Sequence, residues 1–268
     1  MEWRELKEPA GLGLALVGDP VEHSLSPKMQ TAALKTAGIA GEYIAVRVSA
    51  EEFSVCMYRL ATLGYAGANV TVPHKALAAA IGLADDDIVP LIRAANCLKF
   101  RGGILARNTD VDGFLAPIEN AHRGQALVLG AGGAAAAAVY GLAKEGWTVR
   151  IWSRTNERAA DLAKLYPEVT ATPEPDPSDC SLIVNATPVG LSGGEMPDLR
   201  WDLVQQETTF YDLTYREGPT DFLERAEAIG HYVIDGREML VEQGAISFEW
   251  WTGTAAPRDV MRHAVGLP

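Results

Sequence analysis

Ala126-Leu127-Val128-Leu129-Gly130-Ala131-Gly132-Gly133-Ala134-Ala135-Ala136-Ala137-Ala138 is the stretch that decides how this chain folds. A short apolar run ends at Gly130, and an alanine-rich segment continues to Glu145, which predicts a buried strand, a tight glycine turn and a helix. Gly130, Gly132 and Ala135 fit G-x-G-x-x-G/A, in which small residues let the backbone approach a pyrophosphate at the helix N-terminus. A glycine turn between any buried strand and helix gives the same letters, so the interpretation depends on context.

The residues after the next predicted strand supply that context. Ser153, Arg154 and Thr155 lie about 20 residues beyond the glycines, at the position that contacts the adenosine ribose. NAD sites carry a carboxylate there, whereas the guanidinium groups of Arg154 and Arg158 suit the 2′-phosphate of NADP. The sequence therefore favours NADP. The alternative is that Thr155 only caps the following helix and both arginines are solvated, and Glu157 between them weakens the charge signal.

Composition limits the class of protein. The chain has 268 residues, enough for two domains, and 48% of them are hydrophobic without an apolar run long enough to cross a bilayer. Its 35 acidic and 23 basic residues give a net charge of −12, which disfavours nucleic acid as a partner. The charged start at residues 1–5 lacks the apolar core of a signal peptide, so we expect a cytoplasmic protein with no membrane association.

Cysteine and histidine usage predicts neither a disulfide framework nor a metal site. Cys56, Cys97 and Cys180 are few and scattered, and the five histidines show no His-x-x-x-His spacing. We therefore expect no metal cofactor.

The first part of the chain alternates strand and helix candidates, which indicates a parallel sheet. Strands are predicted over 13–18, 42–48 and 66–72, with helices between them, and Ser26 followed by Pro27 predicts a helix start with Ser26 as the N-cap. A β-hairpin is predicted from 96–100 and 104–107. The polar segment that begins at Asn108 marks the domain boundary.

Further strands are predicted over 181–185, 210–213 and 232–234, and helices over 239–251 and 258–264. The first two of these strands end in polar residues, Asn185 to Pro188 and Thr214 to Arg216. Because ligands of open α/β sheets lie beyond the carboxyl ends of strands, both segments are candidate walls of a site.

Polar side chains recur at other predicted strand ends, and hydroxyls, amides and a tyrosine together suit a polyhydroxylated acid. These residues lie in ordered motifs that span nearly the whole chain, and with them the chain resembles the shikimate dehydrogenase family. The motifs are Gly18-Asp19-Pro20, His23 to Pro27, Gly67 to Lys75, Asn108-Thr109-Asp110, Gly130 to Ala134, Asn185 to Gly190, Asp212 to Tyr215, and Asp235-Gly236 with Met239 to Gln243.

The resemblance implies an NADP-linked oxidoreductase that interconverts 3-dehydroshikimate and shikimate, with Lys75 as the acid/base residue and Asp110 as its partner. It implies substrate contacts from Ser24, Ser26, Asn69, Thr71, Asn96, Asp110, Tyr215 and Gln243. It also implies cofactor contacts from Gly130, Ala131, Gly132, Gly133, Ala134, Ser153, Arg154, Thr155, Arg158, Asn185, Thr187, Leu213, Gly236 and Met239.

The implied fold is α/β with two domains. Residues 1–109 and 238–268 form an N-terminal substrate domain completed by the C-terminal helices, and residues 110–237 form a Rossmann-like NADP-binding domain. The expected assembly is a monomer or homodimer.

Alternatives remain at this point. Taken singly, Ser26 is compatible with a mere cap, Lys75 with a solvated charge and Asp110 with a turn former. A quinate/shikimate dehydrogenase with relaxed cofactor use, and a non-catalytic NADP(H)-binding regulator, are the rival functions. The chain also departs from the family pattern where Met29 replaces a histidine, Arg93 a small residue, Cys97 a threonine and Ser153 an asparagine.

Overall fold

The computed structural model describes residues 1–189, 196–216 and 218–268, so Gly190, the last residue of one motif, lies outside the described part. The chain divides into two compact units. Unit 1 comprises Met1–Thr109 and Leu240–Pro268, and unit 2 comprises Asp110–Met239.

Unit 1 contains a six-stranded sheet in the order β2-β1-β3-β5-β6-β4. The central β1 pairs parallel with β2 and β3, β5 runs antiparallel to both β3 and β6, and β4 runs parallel to β6. The strands are β1 (Leu12–Gly18), β2 (Gly41–Arg47), β3 (Tyr65–Val70), β4 (Leu83–Ala84), β5 (Cys97–Phe100) and β6 (Ile104–Arg107).

Helices cover both faces of this sheet and bury two separate cores. Those in the first part of the chain are α1 (Ser26–Thr36), α2 (Phe53–Thr62), α3 (Lys75–Ile81) and α4 (Ile88–Ile92), and a short 3-10 turn occupies Trp3–Glu5. One core gathers apolar side chains of α2 such as Phe53 and Leu60, which recur on one face because helical side chains at three- and four-residue spacing align.

Unit 2 contains a second six-stranded sheet in the order β12-β11-β10-β7-β8-β9, and its neighbouring strands pair in parallel. This is the doubly wound arrangement in which strand order reverses beside the first strand of the unit. Its strands are β7 (Gln125–Leu129), β8 (Thr148–Trp152), β9 (Val169–Ala171), β10 (Cys180–Asn185), β11 (Thr209–Asp212) and β12 (Tyr232–Ile234).

The helices of unit 2 are α5 (Asp110–Leu115), α6 (Gly133–Lys144), α7 (Asn156–Ala163) and α8 (Asp221–Ala228), with 3-10 turns at Ala116–Ile118 and Trp201–Leu203. The alanines of α6 are small enough to bring the helix close to the sheet, and Ala135 and Ala138 are fully buried there. The unit therefore has its own core.

Two helices end the chain: α9 (Gly236–Thr252) and α10 (Arg258–Ala264). The first turn of α9 belongs to unit 2, and the rest of it belongs to unit 1 with α10. Val241, Phe248 and Met261 of these helices are fully buried in the second core of unit 1, together with Leu14 and Met29. The C-terminal helices therefore complete the hydrophobic interior of unit 1.

The structure differs from the sequence-based expectations in a few local features. Ser26 is the first helical residue of α1 rather than its N-cap; Leu25 occupies the cap position, and no side-chain cap bond forms. The two-residue β4, the five-residue α4 and the three-residue β9 were not predicted, because elements this short carry too few residues to show a period. Among the described residues, no helix combines the length and apolarity needed to span a membrane.

Candidate active site

The four strands at the centre of the unit 1 sheet bring their polar end residues to one edge. Register places Asn69 of β3 opposite Cys97 of β5, and Cys97 opposite Arg107 of β6. Because β5 is antiparallel, the residue that precedes it, Asn96, lies at the same edge as the residues that follow β3 and β6. The Val70 N–H donates to the Asn96 carbonyl at 2.8 Å and the Asn96 N–H to the Arg107 carbonyl at 3.2 Å, which fixes this edge.

Asn69 is buried within a polar network of unit 1. Its Oδ1 accepts a hydrogen bond from the Tyr43 hydroxyl at 2.8 Å. Its Nδ2 donates to the Asn96 carbonyl at 3.1 Å and to Ser247 Oγ at 3.0 Å. Both amide hydrogens are therefore used inside the protein, and what Asn69 can offer a ligand is a lone pair of its oxygen.

Asn96, 2% exposed, organises the other half of this network. Its Nδ2 donates to Thr109 Oγ1 at 2.9 Å and to Gln243 Oε1 at 3.2 Å, and its Oδ1 accepts from the Thr109 N–H at 2.7 Å. Gln243 Nε2 in turn donates to the Leu240 carbonyl at 2.7 Å. The predicted substrate contacts Asn69, Asn96 and Gln243 are thus brought together, because buried polar groups must satisfy one another.

Lys75 and Thr71 belong to the same edge. Lys75 is the half-buried first residue of α3, and its carbonyl accepts from the Ala95 N–H at 2.9 Å, next to Asn96. The Thr71 N–H continues the sheet by donating to the Val17 carbonyl at 2.9 Å. A Cβ on Gly18 would come within 2.3 Å of the Thr71 methyl group, so only glycine fits at the end of β1.

The two serines follow β1 on the loop that leads into α1. Ser26 is 5% exposed, Ser24 is half-buried, and the Ser26 N–H donates to Ser24 Oγ at 3.2 Å. This bond satisfies an N–H at the start of the helix that would otherwise lack an acceptor. The Ser24 hydroxyl therefore performs a capping role that the sequence analysis gave to Ser26.

In unit 2 the glycine turn follows the carboxyl end of β7. The Gly130 N–H donates to the Trp152 carbonyl at 2.7 Å, and the Ala186 N–H to the Leu129 carbonyl at 2.8 Å. Gly130 has φ of +114°, and a Cβ there would lie 2.8 Å from the Ala186 carbonyl oxygen. Glycine is required at this position on both counts.

The N-terminus of α6 fits a dinucleotide pyrophosphate. Its N-cap, Gly132, offers no side-chain cap, Gly132 and Gly133 are exposed, and a Cβ on Gly132 would meet open space. The first N–H groups of a helix have no intrahelical acceptor and favour an anion. Gly130, Ala131, Gly132, Gly133 and Ala134 therefore form a suitable phosphate cradle.

The segment after β8 fits the 2′-phosphate of NADP. Ser153 is buried, whereas Arg154, Thr155 and Arg158 are exposed. Thr155 is the N-cap residue of α7 but makes no side-chain cap bond, so capping alone does not explain its hydroxyl. Neither arginine has an ion-pair partner in the described ranges, which leaves both guanidinium groups available to an anion.

Asp212, whose side chain is fully buried at the end of β11, holds together the loops that follow β10 and β11. Its Oδ1 accepts from Asn185 Nδ2 at 2.9 Å, the Thr214 N–H at 2.9 Å and the Thr214 hydroxyl at 2.8 Å, and its Oδ2 accepts from the Thr220 hydroxyl at 2.6 Å. Burial raises the pKa of this carboxyl, against the opposing effect of these hydrogen bonds.

Asn185, which Asp212 holds in place, in turn holds Thr187 by two hydrogen bonds. Asn185 Oδ1 accepts from the Thr187 hydroxyl at 2.7 Å and from its N–H at 3.1 Å. The predicted cofactor contacts Asn185 and Thr187 are therefore joined, and Asp212 fixes them. The sequence analysis quoted Asp212 in a motif without giving it a role, although an acidic residue at the end of a buried strand is itself a signal.

Gly236 and Leu213 lie at the same edge of unit 2. A Cβ on Gly236 would meet the carbonyl oxygens of Thr214 at 2.6 Å and Asp212 at 2.7 Å, so α9 begins directly against this loop. Asp235 caps the helix by accepting from the Arg237 N–H at 2.8 Å. Met239 is buried in the core of unit 2, which makes its side chain a support of this edge.

The predicted residues Asp110 and Tyr215 belong to unit 2, whereas Lys75 belongs to unit 1. Asp110 is buried in the first turn of α5, and Tyr215 is half-buried after β11. The pairing of Lys75 with Asp110 stays a prediction. Within the described part of the chain, no group of His, Cys, Asp or Glu side chains is arranged to hold a metal ion.

Three network residues were missed as site residues: Tyr43, Thr109 and Ser247. Thr109 lies in a quoted motif, and Ser247 follows Gln243 by four residues on the same helix face, a spacing that could have been used. Tyr43 offers no such signal, because an aromatic residue in a half-buried strand is ordinary core.

Fold and site define the class: a pyridine-dinucleotide-dependent oxidoreductase with a doubly wound cofactor unit and a separate α/β unit that carries a buried polar network. Two family models match, the shikimate dehydrogenase substrate binding domain over residues 16–98 and the shikimate 5'-dehydrogenase C-terminal domain over residues 236–265. The chain belongs to the shikimate dehydrogenase family.

Curated relatives support this over the whole length. The shikimate dehydrogenase (NADP(+)) of Methanocella arvoryzae is 40% identical over 93% of this chain and 96% of its own. That of Methanopyrus kandleri is 40% identical over 94% of each chain. The predictions of the family and the α/β fold class are confirmed.

Solved structures agree. Shikimate 5-dehydrogenase of Thermus thermophilus, in complex with NADP(H) and shikimate, has a TM-score of 0.88 at 36% identity and covers 94% of this chain and 98% of its own. The shikimate dehydrogenase of Aquifex aeolicus also has a TM-score of 0.88, at 33% identity, covering 96% and 98%. A 5-ketofructose reductase of Gluconobacter reaches 0.85 at 27% identity over 95% and 98%, so the fold also serves another sugar-like substrate.

Proposed function

We propose that this chain is an NADP-dependent shikimate dehydrogenase, which reversibly reduces 3-dehydroshikimate to shikimate in aromatic amino-acid biosynthesis. The observation that carries the proposal is the whole-length similarity to curated NADP(+)-dependent shikimate dehydrogenases. The positions of the family motifs at strand ends support it, because each unit collects its motif residues at one edge of its sheet.

Lys75 is the proposed catalytic residue. Bound NADPH supplies the hydride that goes to the carbonyl carbon of 3-dehydroshikimate. The carbonyl oxygen then needs a proton, and the Lys75 ammonium donates it so that an alcohol forms instead of a free alkoxide. In the reverse direction the neutral amine accepts the hydroxyl proton of shikimate.

The buried network of unit 1 is the proposed substrate-binding surface. A substrate with several hydroxyl groups loses its water on binding, so each hydroxyl needs a partner in the protein. Gln243 and Asn96 supply amide groups, and Ser24, Ser26 and Thr71 supply hydroxyls on neighbouring loops. Their fixed orientations favour one ligand shape, because rigid partners lose little entropy on binding.

In the cofactor unit, the α6 N-terminus is proposed to bind the pyrophosphate, and Arg154, with Ser153, Thr155 and Arg158, the 2′-phosphate. Asn185, Thr187, Leu213, Gly236 and Met239 are proposed to line the nicotinamide end. We further propose that the enzyme is a monomer or homodimer in the cytoplasm, where NADPH is available. Light scattering after size exclusion would distinguish the two assemblies.

Initial rates measured with shikimate and with quinate, each with NADP⁺ and with NAD⁺, test the proposal. We expect shikimate to be the better substrate, and NADP⁺ to be preferred over NAD⁺ by at least about tenfold in kcat/KM, since one charge-assisted bond to the 2′-phosphate is worth that much. Comparable rates with quinate or NAD⁺ would indicate a relaxed quinate/shikimate dehydrogenase. Tight NADPH binding without any turnover would indicate a regulator.

A further inference from the structure

Thr71 directly follows β3 at the edge of the unit 1 sheet, and its side chain is half-buried. We propose that Gly18 is a positioning residue for substrate binding, because its bare backbone holds the Thr71 methyl group and thereby fixes the direction of the Thr71 hydroxyl. The inference rests on the proposed function, in which this hydroxyl contacts the substrate.

The backbone on both sides of the Thr71 side chain is fixed by hydrogen bonds. The Thr71 N–H donates to the Val17 carbonyl at 2.9 Å, and the Thr71 carbonyl accepts from the His74 N–H at 2.9 Å. The position of the Thr71 Cβ is therefore set. Its hydroxyl can change place only by rotation about χ1.

Hydrogen bonding within the protein does not select the χ1 rotamer of Thr71. In the described part of the chain the Thr71 hydroxyl has no hydrogen-bond partner, whereas the Thr109 hydroxyl accepts from Asn96 Nδ2 at 2.9 Å. A half-buried hydroxyl of this kind is suited to bind a polar group of a ligand. Its direction must then be set by packing.

Gly18 supplies the packing contact. A Cβ on Gly18 would overlap the Thr71 methyl group, so the methyl group occupies the space that a side chain at this position would take. The same point lies 3.0 Å from Val21 Cγ1 and 3.1 Å from the Val72 carbonyl oxygen, which bound the space on two further sides. Threonine is stiff about χ1, and burial of its methyl group favours the rotamer that makes this contact.

The surface against which the methyl group packs is itself held in place. Gly18 is buried at the end of β1, and its carbonyl accepts from the Val48 N–H at 3.3 Å. The Asp19 N–H donates to the Val72 carbonyl at 3.1 Å, which joins the segment after β1 to the segment after β3. Gly18 and Thr71 therefore keep their separation.

Fixing the methyl group also fixes the hydroxyl, because the threonine Cβ is a chiral centre with one methyl group, one hydroxyl and one hydrogen. Rotation about χ1 would place either the hydroxyl or the hydrogen against Gly18. Both rotations lose the contacts of the methyl group in this space. The Thr71 hydroxyl is thus directed before any substrate binds.

Thr71→Ser tests the inference, because it keeps the hydroxyl and removes only the methyl group. Gly18→Ala disturbs β1 as well and is less suitable. The serine hydroxyl can occupy all three staggered positions, of which one is productive. We expect the KM for shikimate to rise about threefold or more, since a binding-competent fraction of about one third weakens binding by that factor. kcat and the KM for NADP⁺ should stay within about twofold of wild type. An unchanged KM for shikimate would overturn the proposal.

Thr71→Val shows whether the hydroxyl contacts the substrate at all. It keeps a methyl group against Gly18 and replaces the hydroxyl by a second methyl group. We expect the KM for shikimate to rise about tenfold, the equivalent of one hydrogen bond. If T71V binds shikimate as wild type does, the hydroxyl has no substrate partner and the proposal is wrong.

Thr208→Ser is the matched control for the loss of a buried methyl group. Thr208 is 1% exposed in unit 2, and its hydroxyl donates to the Cys180 carbonyl at 2.7 Å, so a hydrogen bond sets the direction of this hydroxyl. T208S should lower the melting temperature at least as much as T71S and leave the KM for shikimate unchanged. An equal rise in this KM in both variants would contradict the proposal.

A second readout measures the rotamer directly in the protein without substrate. Three-bond NMR couplings from the Thr71 methyl carbon to the backbone nitrogen and carbonyl carbon report χ1. Wild type should show the couplings of a single rotamer. Couplings averaged over rotamers would mean that the substrate, and not Gly18, orients the hydroxyl, which would overturn the proposal. A wild type that does not turn over shikimate would instead refute the proposed function.

Discussion

Replacing Asp212 by alanine removes the acceptor of four hydrogen bonds in the interior of unit 2. The donors are Asn185 Nδ2, the Thr214 N–H and hydroxyl, and the Thr220 hydroxyl. A buried donor without an acceptor costs about 1–3 kcal/mol, although rotating hydroxyls recover part of this. We therefore expect D212A to lower the free energy of unfolding by about 3–5 kcal/mol, the sum of these partly recovered losses over four donors.

Asp212→Asn is a smaller change with a distinct pH signature. It keeps one acceptor oxygen, and its amide can donate to the Thr220 hydroxyl oxygen, so the expected loss is about 1–2 kcal/mol at neutral pH. The pKa of Asp212 is raised by burial in the folded protein, whereas the unfolded chain titrates near 3.9. As the pH rises from about 4 towards the raised folded pKa, the folded protein holds more protons and wild type loses stability relative to D212N.

Urea unfolding monitored by tryptophan fluorescence, from pH 4 to pH 8, measures both effects. Asp202→Asn is the matched control, because this exposed carboxylate of unit 2 pairs only with Arg200 within the described part of the chain. It should change the unfolding free energy by less than about 0.5 kcal/mol. A loss below about 1 kcal/mol in D212A, or a wild type that gains on D212N with rising pH, would refute the reasoning.

The other predictions concern single contacts. Lys75→Ala should lower kcat by about 10²- to 10⁴-fold through loss of proton transfer. Lys35→Ala, an exposed change in α1, should leave kcat unchanged, and steady-state measurement of NADPH absorbance follows both. Arg154→Ala should reduce the preference for NADP⁺ over NAD⁺ by about 10- to 100-fold, measured as the ratio of the two kcat/KM values. An unchanged ratio would mean that another residue binds the 2′-phosphate. Gly236→Ala should lower the free energy of unfolding by about 1–3 kcal/mol and raise the KM for NADP⁺, since the added Cβ would overlap the carbonyl oxygens of Thr214 and Asp212. A variant with the melting temperature of wild type would contradict this.

Much of the fold could be predicted because long elements carry strong local signals. The strands β1 and β10 and the hairpin of β5 and β6 lie within a residue or two of their predicted positions, since each has a run of apolar or β-branched residues with turn residues at its ends. The cofactor turn was visible for the same reason. The hairpin places β5 antiparallel to β3 and β6, so the first sheet, expected to be parallel from the alternation of strands and helices, is mixed.

The site was less predictable where its members are far apart in sequence. Tyr43, Asn69 and Ser247 meet only after β2, β3 and α9 have packed, and no local pattern links residues separated by 178 positions, as Asn69 and Ser247 are.

The structure gives a reason for Met29, which stands where the family pattern has a histidine. A Cβ on Gly244 would lie 2.4 Å from the Met29 methyl group, so the methionine side chain occupies the space beside this glycine. For Arg93, the structure shows a left-handed backbone with φ of +52° at the end of α4 and no reason for arginine.

The division of the chain has a consequence for how the protein is made. Unit 2 is one continuous segment, whereas unit 1 needs residues 240–268 to fill its second core. A ribosome delivers those residues only after all of unit 2, so the apolar surface of the N-terminal part of unit 1 stays uncovered while about 130 residues are translated, roughly 6–26 s at about 5–20 residues per second. Exposed apolar surface of this kind favours aggregation, so we expect a chain that stops before α9 to aggregate rather than to form a smaller working enzyme.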